Sequence, residues 1–138
     1  PMSLITVVIT TYGTLHGPAP AEGDALLIDL SDELRNPHRA PSMRYRTGLD
    51  PAVRDHVLTT PGADRIVALN VDRIRALNTV HTMQVQPIIT RVHIACRGGR
   101  HRSVAVAEEI ARELRREDIG TEVYHRDIDK PVYSTDLP

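Results

Sequence analysis

The sequence predicts an α/β domain: a mostly parallel sheet flanked by helices. Three observations predict it. Residues 88–128 read as strand, glycine turn, helix and strand, a βαβ pattern whose crossover leaves its two strands parallel. Two earlier runs, "LITVVITT" at 4–11 and "ALLIDL" at 25–30, have the aliphatic, β-branched density of buried strands. A length of 138 residues, 41% hydrophobic and 25% charged, suits one globular domain, and 1–138 is read as that single domain.

The elements follow in order. After the first strand, "YGTLHGPAPAEGD" is rich in Gly and Pro and reads as a loop. Residues 31–49 hold Pro37, Pro41 and many charges, and read as mostly irregular surface chain. Asp50-Pro51 opens a helix, an Asp cap followed by Pro at the first helical position, where its missing N–H costs nothing. That helix runs to about Thr60, ahead of Pro61-Gly62. A second helix, 63–82, is expected to bury Ile66, Leu69, Ile74 and Leu77. "IITRVHIAC" at 88–96 is the third strand. The third helix, from Arg102 to Glu117, carries Val106, Ile110 and Leu114 at spacings of four, with Gly120 as its expected terminator. "TEVYHRDI" at 121–128 is the last strand. The strand order is not set by these patterns.

Composition narrows the function. With no Phe or Trp, the core must be built from Ile, Leu, Val and Ala. A formal charge of −1 argues against indiscriminate nucleic-acid binding. A single cysteine cannot close an internal disulfide, no apolar run reaches the roughly 18 residues of a membrane span, and the start lacks a secretory signal. The expectation is a cytoplasmic protein with no membrane role. Pro1, ahead of Met2, reads as a remnant of expression engineering. Scattered histidines and one Cys match no zinc spacing, so no metal is expected, and no cofactor. His56, His81 and His93, inside elements, read as structural or surface groups.

The chemistry concentrates at Cys96-Arg97-Gly98-Gly99-Arg100-His101-Arg102-Ser103. This stretch leaves a strand and opens a helix, where unpaired N–H groups and the positive dipole end attract anions. Two glycines admit close backbone approach, and Arg97, Arg100, His101 and Arg102 add donors. Phosphate is the ligand this set suits best, though the stretch is not a Walker A loop, which ends Gly-Lys-Ser/Thr. If the four strands are parallel, their carboxyl ends converge on one cleft. Thr11, Tyr12 and Gly13 would meet there with Asp29, Cys96, His125, Arg126 and Asp127.

The same residues resemble a known family. "CRGGRHRS", followed by "HRDI", resembles the C-terminal domain of RapZ, the RNase adaptor protein family, with its Cys-Thr-Gly-Gly-Lys/Arg-His-Arg-Ser and later His-Arg. "TYGTLHG" at 11–17, "RNPH" at 35–38 and "TGLD" at 47–50 resemble further family blocks in the same order. The resemblance implies a domain that binds an amino-sugar phosphate, glucosamine-6-phosphate, self-associates as a homo-oligomer and contributes to binding small RNAs. Carried over by motif position, it places ligand contacts on Asp29, Asn36, His38, Gly98, His101, Arg102 and Ser103. Three departures stand out. The family's Walker A domain is absent from this sequence, the basic cluster beyond His-Arg is replaced by "DIDKPVYSTDLP", and Arg97 stands where the family has Thr.

Three function classes compete. A metabolite-binding or sensing domain uses the glycine loop to hold a phosphorylated small molecule. A cysteine-dependent phosphatase would use Cys96 as nucleophile and Arg102, six positions on, to hold the equatorial oxygens. Against it, Asp29 and Asp127 are the only candidate acids and neither has a motif-defined place. An RNA-binding or protein-adaptor module is the third. The sequence favours binding over turnover, with His38 and His101 expected to gain protons beside a bound phosphate.

Overall fold

A computed structural model describes residues 4–21 and 23–133. Pro1 and the end of the acidic tail lie outside the described residues. Four strands, β1 (Ile5–Gly13), β2 (Leu26–Asp29), β3 (Thr90–Cys96) and β4 (Gly120–His125), form one parallel sheet in the order β2-β3-β1-β4. Three helices accompany it: α1 (Pro51–Leu58), α2 (Ala63–Thr82) and α3 (Arg102–Arg116). Short 3-10 turns at Thr14–His16 and Pro37–Arg39 interrupt the two loops read as irregular.

The helices pack on one another and on the sheet face carrying Val7, Ile9, Val92, Ile94 and Ile28. α3 contributes Val106, Ile110 and Leu114, all fully buried as their spacing predicts. Each such aliphatic side chain stabilises by about 1.5–3 kcal/mol on burial, so a core without Phe or Trp is adequate. Ala105, Ala107 and Ala111, equally buried, fill α3's inner side with small residues.

The face of α2 differs from expectation. Leu69 is 59% exposed, and the buried set is Ala63, Val67, Asn70, Val71, Ile74 and Asn78. The two asparagines displace the expected leucines because their amides are satisfied: Asn70 donates to the Ile66 carbonyl (2.8 Å), and Asn78 accepts from the Thr90 hydroxyl (3.1 Å). The end of α3 also differs. Asp118, at φ 64, takes the left-handed position, with Ile119 N–H donating to the Leu114 carbonyl and Asp118 N–H to Arg115. Gly120 instead begins β4, where an added Cβ would strike the Leu4 backbone.

Register aligns the strand ends. Gly13 pairs with Cys96, Asp29 with Ala95, and Thr11 with His125, so all four carboxyl ends open on the same edge. Among the described residues no helix is long and apolar enough to cross a membrane.

Candidate functional site

Three loops close on the glycine turn between β3 and α3. Gly99 has φ 69, and a Cβ there would collide with the backbone nitrogen of Gly13, while one on Gly13 would collide with Gly98. Gly48 packs against the His101 carbonyl in the same way, and its N–H donates to the Arg100 carbonyl (2.9 Å). Leu15 N–H donates to the Arg97 carbonyl (3.0 Å). The glycines at 13, 48 and 99 are therefore required by backbone-on-backbone packing, whatever else approaches the turn.

The basic side chains divide by what they touch. Arg100 donates to the carbonyls of Tyr45, Arg46 (3.1 Å) and Ile128 (2.9 Å), tying two loops together. His101 is 3% exposed and donates from Nε2 to the Arg44 carbonyl (3.0 Å), which fixes its tautomer. Burial pushes its pKa down to about 4 against that hydrogen bond's pull, so near neutral pH it is an uncharged brace. Arg102, only 2% exposed, donates through Nη1 to the carbonyls of Leu30, Ser31 and Glu33 at 3.1–3.2 Å. Arg97 ends on Asp32 at 3.5 Å.

Unused donors remain here. Nε of Arg97, Nε of Arg102 and Nδ2 of Asn36 are buried without a hydrogen-bond partner among the described residues. Such groups are costly unless something accepts from them. Arg102 opens α3, and the first N–H donating within the helix is Ala105, to His101 (2.9 Å), so the N–H groups ahead of it have no intrahelical partner; that of Ser103 turns to the Cys96 sulfur (3.5 Å). Asn36 caps the turn at Pro37–Arg39, accepting from His38 N–H (3.1 Å); buried His38 has its own carbonyl held by Arg44 (2.7 Å).

Cys96 is 2% exposed, its thiol donating to the Ser103 hydroxyl (3.2 Å) while accepting from Ser103 N–H (3.5 Å). Neither candidate acid sits as a proton donor. Asp29 is exposed, with one carboxylate oxygen taking Ser31 N–H (2.9 Å). Asp127 is fully buried; burial opposes its ionisation, but hydrogen bonds from Arg126, Gly13 N–H and Lys130 outweigh that and hold it at about 2. Arg126 also donates to the Pro18 carbonyl (2.6 Å) and lies 5.1 Å over the Tyr12 ring. Burial and nearby Asp29 raise the Tyr12 pKa, with Arg126 opposing.

Thr11 and His125 meet as the register requires, but on the helix side of the sheet. The Thr11 hydroxyl lies 2.8 Å from His125 Nδ1, and Nε2 donates to the Glu108 carboxylate at 2.8 Å. That hydrogen bond lowers the Glu108 pKa despite partial burial. No motif points to Glu108, Arg44 or Asp32 as partners, because each is placed by tertiary packing. No group of three or more His, Cys, Asp or Glu among the described residues could hold a metal ion.

The RapZ C-terminal domain pattern matches residues 5–129, nearly the whole chain. The chain belongs to the RapZ C-terminal domain family. The matched span takes in both the glycine turn at 97–103 and His125-Arg126. Relatives include proteins named "Nucleotide-binding protein" from Rubrobacter xylanophilus, 41% identical over 91% of this chain and 41% of that protein, and from Geobacter metallireducens, 36% identical over 91% and 43%. One from Corynebacterium diphtheriae is 39% identical over 88% of this chain and 40% of that protein. The chain spans about 40% of the length of these family members.

Proposed function

We propose that the turn at 97–103, with Asn36 and His38 beside it, binds a phosphorylated small molecule. An amino-sugar phosphate such as glucosamine-6-phosphate is the specific candidate that the family resemblance supplies. One observation carries the reading. The start of α3 coincides with two guanidiniums, Arg97 and Arg102, whose buried Nε donors have no acceptor among the described residues. A phosphate oxygen accepts from such N–H groups and is stabilised by the helix dipole. The relatives' name is consistent with a phosphate-bearing ligand, and a nucleotide is the competing occupant.

The side-chain geometry favours holding phosphate over cleaving it. The Cys96 thiol is enclosed and paired with Ser103, Arg102 is turned toward carbonyls, and Asp127 is ionised where an acid would need its proton.

A thermal-shift series tests the reading with glucosamine-6-phosphate, glucose-6-phosphate, GMP, ATP and inorganic phosphate. A ligand at 100 times its Kd stabilises by about 2.7 kcal/mol. The expected result is stabilisation by the sugar phosphates, with amide shifts at Gly98–Ser103. Stabilisation by nucleotides alone would make the ligand a nucleotide. Strongly salt-dependent RNA binding with no small-molecule effect would make the domain an RNA module.

A further inference from the structure

We infer that Asp32 is a displaceable counter-ion for Arg97, and that Arg97 is the residue of the turn that sets its affinity for a phosphate dianion; the inference rests on the phosphate reading above. The turn carries four basic side chains, and three of them are committed to backbone carbonyls. Arg100 reaches residues 45, 46 and 128, His101 reaches 44, and Arg102 reaches 30, 31 and 33. A bound anion would have to break those contacts to recruit these groups fully.

Arg97 is held differently. Its outer end meets Asp32 at 3.5 Å, longer than the 2.7–2.9 Å of a well-formed charge-assisted bond. The Asp32 side chain is 88% exposed and that of Arg97 31% exposed. An exposed pair of this length contributes little and exchanges readily. At the other end, Nε is buried and has no partner among the described residues. The guanidinium therefore offers a solvent-facing edge under a weak carboxylate and an inner donor that is unsatisfied. A phosphate dianion carries more charge than a carboxylate and matches the planar fork in a bidentate contact.

The placement suits an exchange of this kind. Asp32 follows β2 and Arg97 follows the adjacent β3. The Asp32 loop is anchored independently, because Arg102 holds the carbonyls at 30, 31 and 33. Releasing the Asp32 side chain frees Arg97 without freeing the loop. The cation then passes from a protein carboxylate to a ligand phosphate while the scaffold stays fixed.

The test titrates inorganic phosphate into wild type, Asp32→Asn, Arg97→Ala and the double variant, read by the backbone amides of Gly98 and Gly99. Thermal unfolding without phosphate checks that each variant folds. Asp32→Asn is expected to tighten binding roughly two- to five-fold, as loss of a weak exposed competitor allows. Arg97→Ala should weaken it at least about ten-fold, and adding Asp32→Asn to it should then change nothing. Phosphate binding that ignores Asp32→Asn, or survives Arg97→Ala, overturns the inference and leaves the phosphate reading standing. No response of Gly98–Ser103 in wild type overturns both.

Discussion

The two halves of the sheet's carboxyl edge are built to opposite ends. Beyond β1 and β4 the buried carboxylate of Asp127 and the guanidinium of Arg126 beside it are paired inside the protein. Asp127 takes Gly13, Arg126 and Lys130, and Arg126 takes Pro18 as well. Beyond β2 and β3, Arg97, Arg102 and Asn36 each keep a buried N–H without an acceptor among the described residues. A satisfied network rigidifies, whereas an unsatisfied one has a cost that a ligand can relieve. One half is thus a strut and the other, on the proposed phosphate reading, a receptor, joined by the glycine turn.

The largest effect should come from Arg102→Ala. It removes the donor serving three carbonyls and leaves a cavity, at a cost of about 3 kcal/mol or more in unfolding free energy. Arg97→Ala, on the same side, should change stability by less than ~0.5 kcal/mol, since only a loose surface pair is lost. Urea denaturation of the two variants checks this. Equal losses would erase the distinction between the guanidinium that builds the loop and the one that is free to exchange.

That distinction was not legible in the sequence. Spacing identified the strands, the helix α3 and the turn, because aliphatic runs and a Gly-Gly pair before a periodic helix have local causes. It treated Arg97, Arg100, His101 and Arg102 alike as ligand donors, because adjacency in sequence says nothing of which carbonyls lie within reach. Residues 31–49, read as irregular, turn out to supply most of the acceptors for Arg100, His101 and Arg102, with Leu30 and Ile128 among the others. The misread face of α2 has the same origin: Asn70 and Asn78 are inside because distant or i−4 groups satisfy them, which hydrophobic periodicity does not register.

His101 supplies the next effect. Its pKa falls from 6.5 to about 4 on folding, so the unfolded chain binds more protons between those values. Stability is complete above pH 6.5 and declines as pH falls toward 4, by roughly 3 kcal/mol across that window. His101→Gln, which keeps a donor for Arg44 but does not titrate there, should flatten the decline. Denaturant midpoints at pH 7, 5.5 and 4 measure it, and an unchanged slope in the variant would remove His101 from the scaffold.

Asp127 titrates lower and on the opposite half. Its carboxyl is depressed from 3.8 to about 2, so its contribution is present above pH 4 and is lost as pH falls toward 2. The expected size is about 2 kcal/mol. Asp127→Asn should lower stability at pH 7 by about that much and remove the acid loss below pH 4, leaving the His101 window intact. The two halves then unfold their charges in separate pH ranges, and merging of the two windows would contradict their independence.

The smallest effect tests the strut from its helix side. Thr11 is fully buried, and its hydroxyl faces His125 Nδ1 while Nε2 is held by Glu108. Thr11→Val preserves shape and strand preference and removes one hydrogen bond, so it should cost about 1 kcal/mol. Glu108 still orients the ring, which keeps the loss below that of Arg102→Ala. The imidazole nitrogen shifts of His125 in wild type and variant separate the contributions: Nδ1 should move and Nε2 should not. A loss as large as that of Asp127→Asn would mean that the buried threonine, and not the charged cluster above it, is what holds β4 to β1.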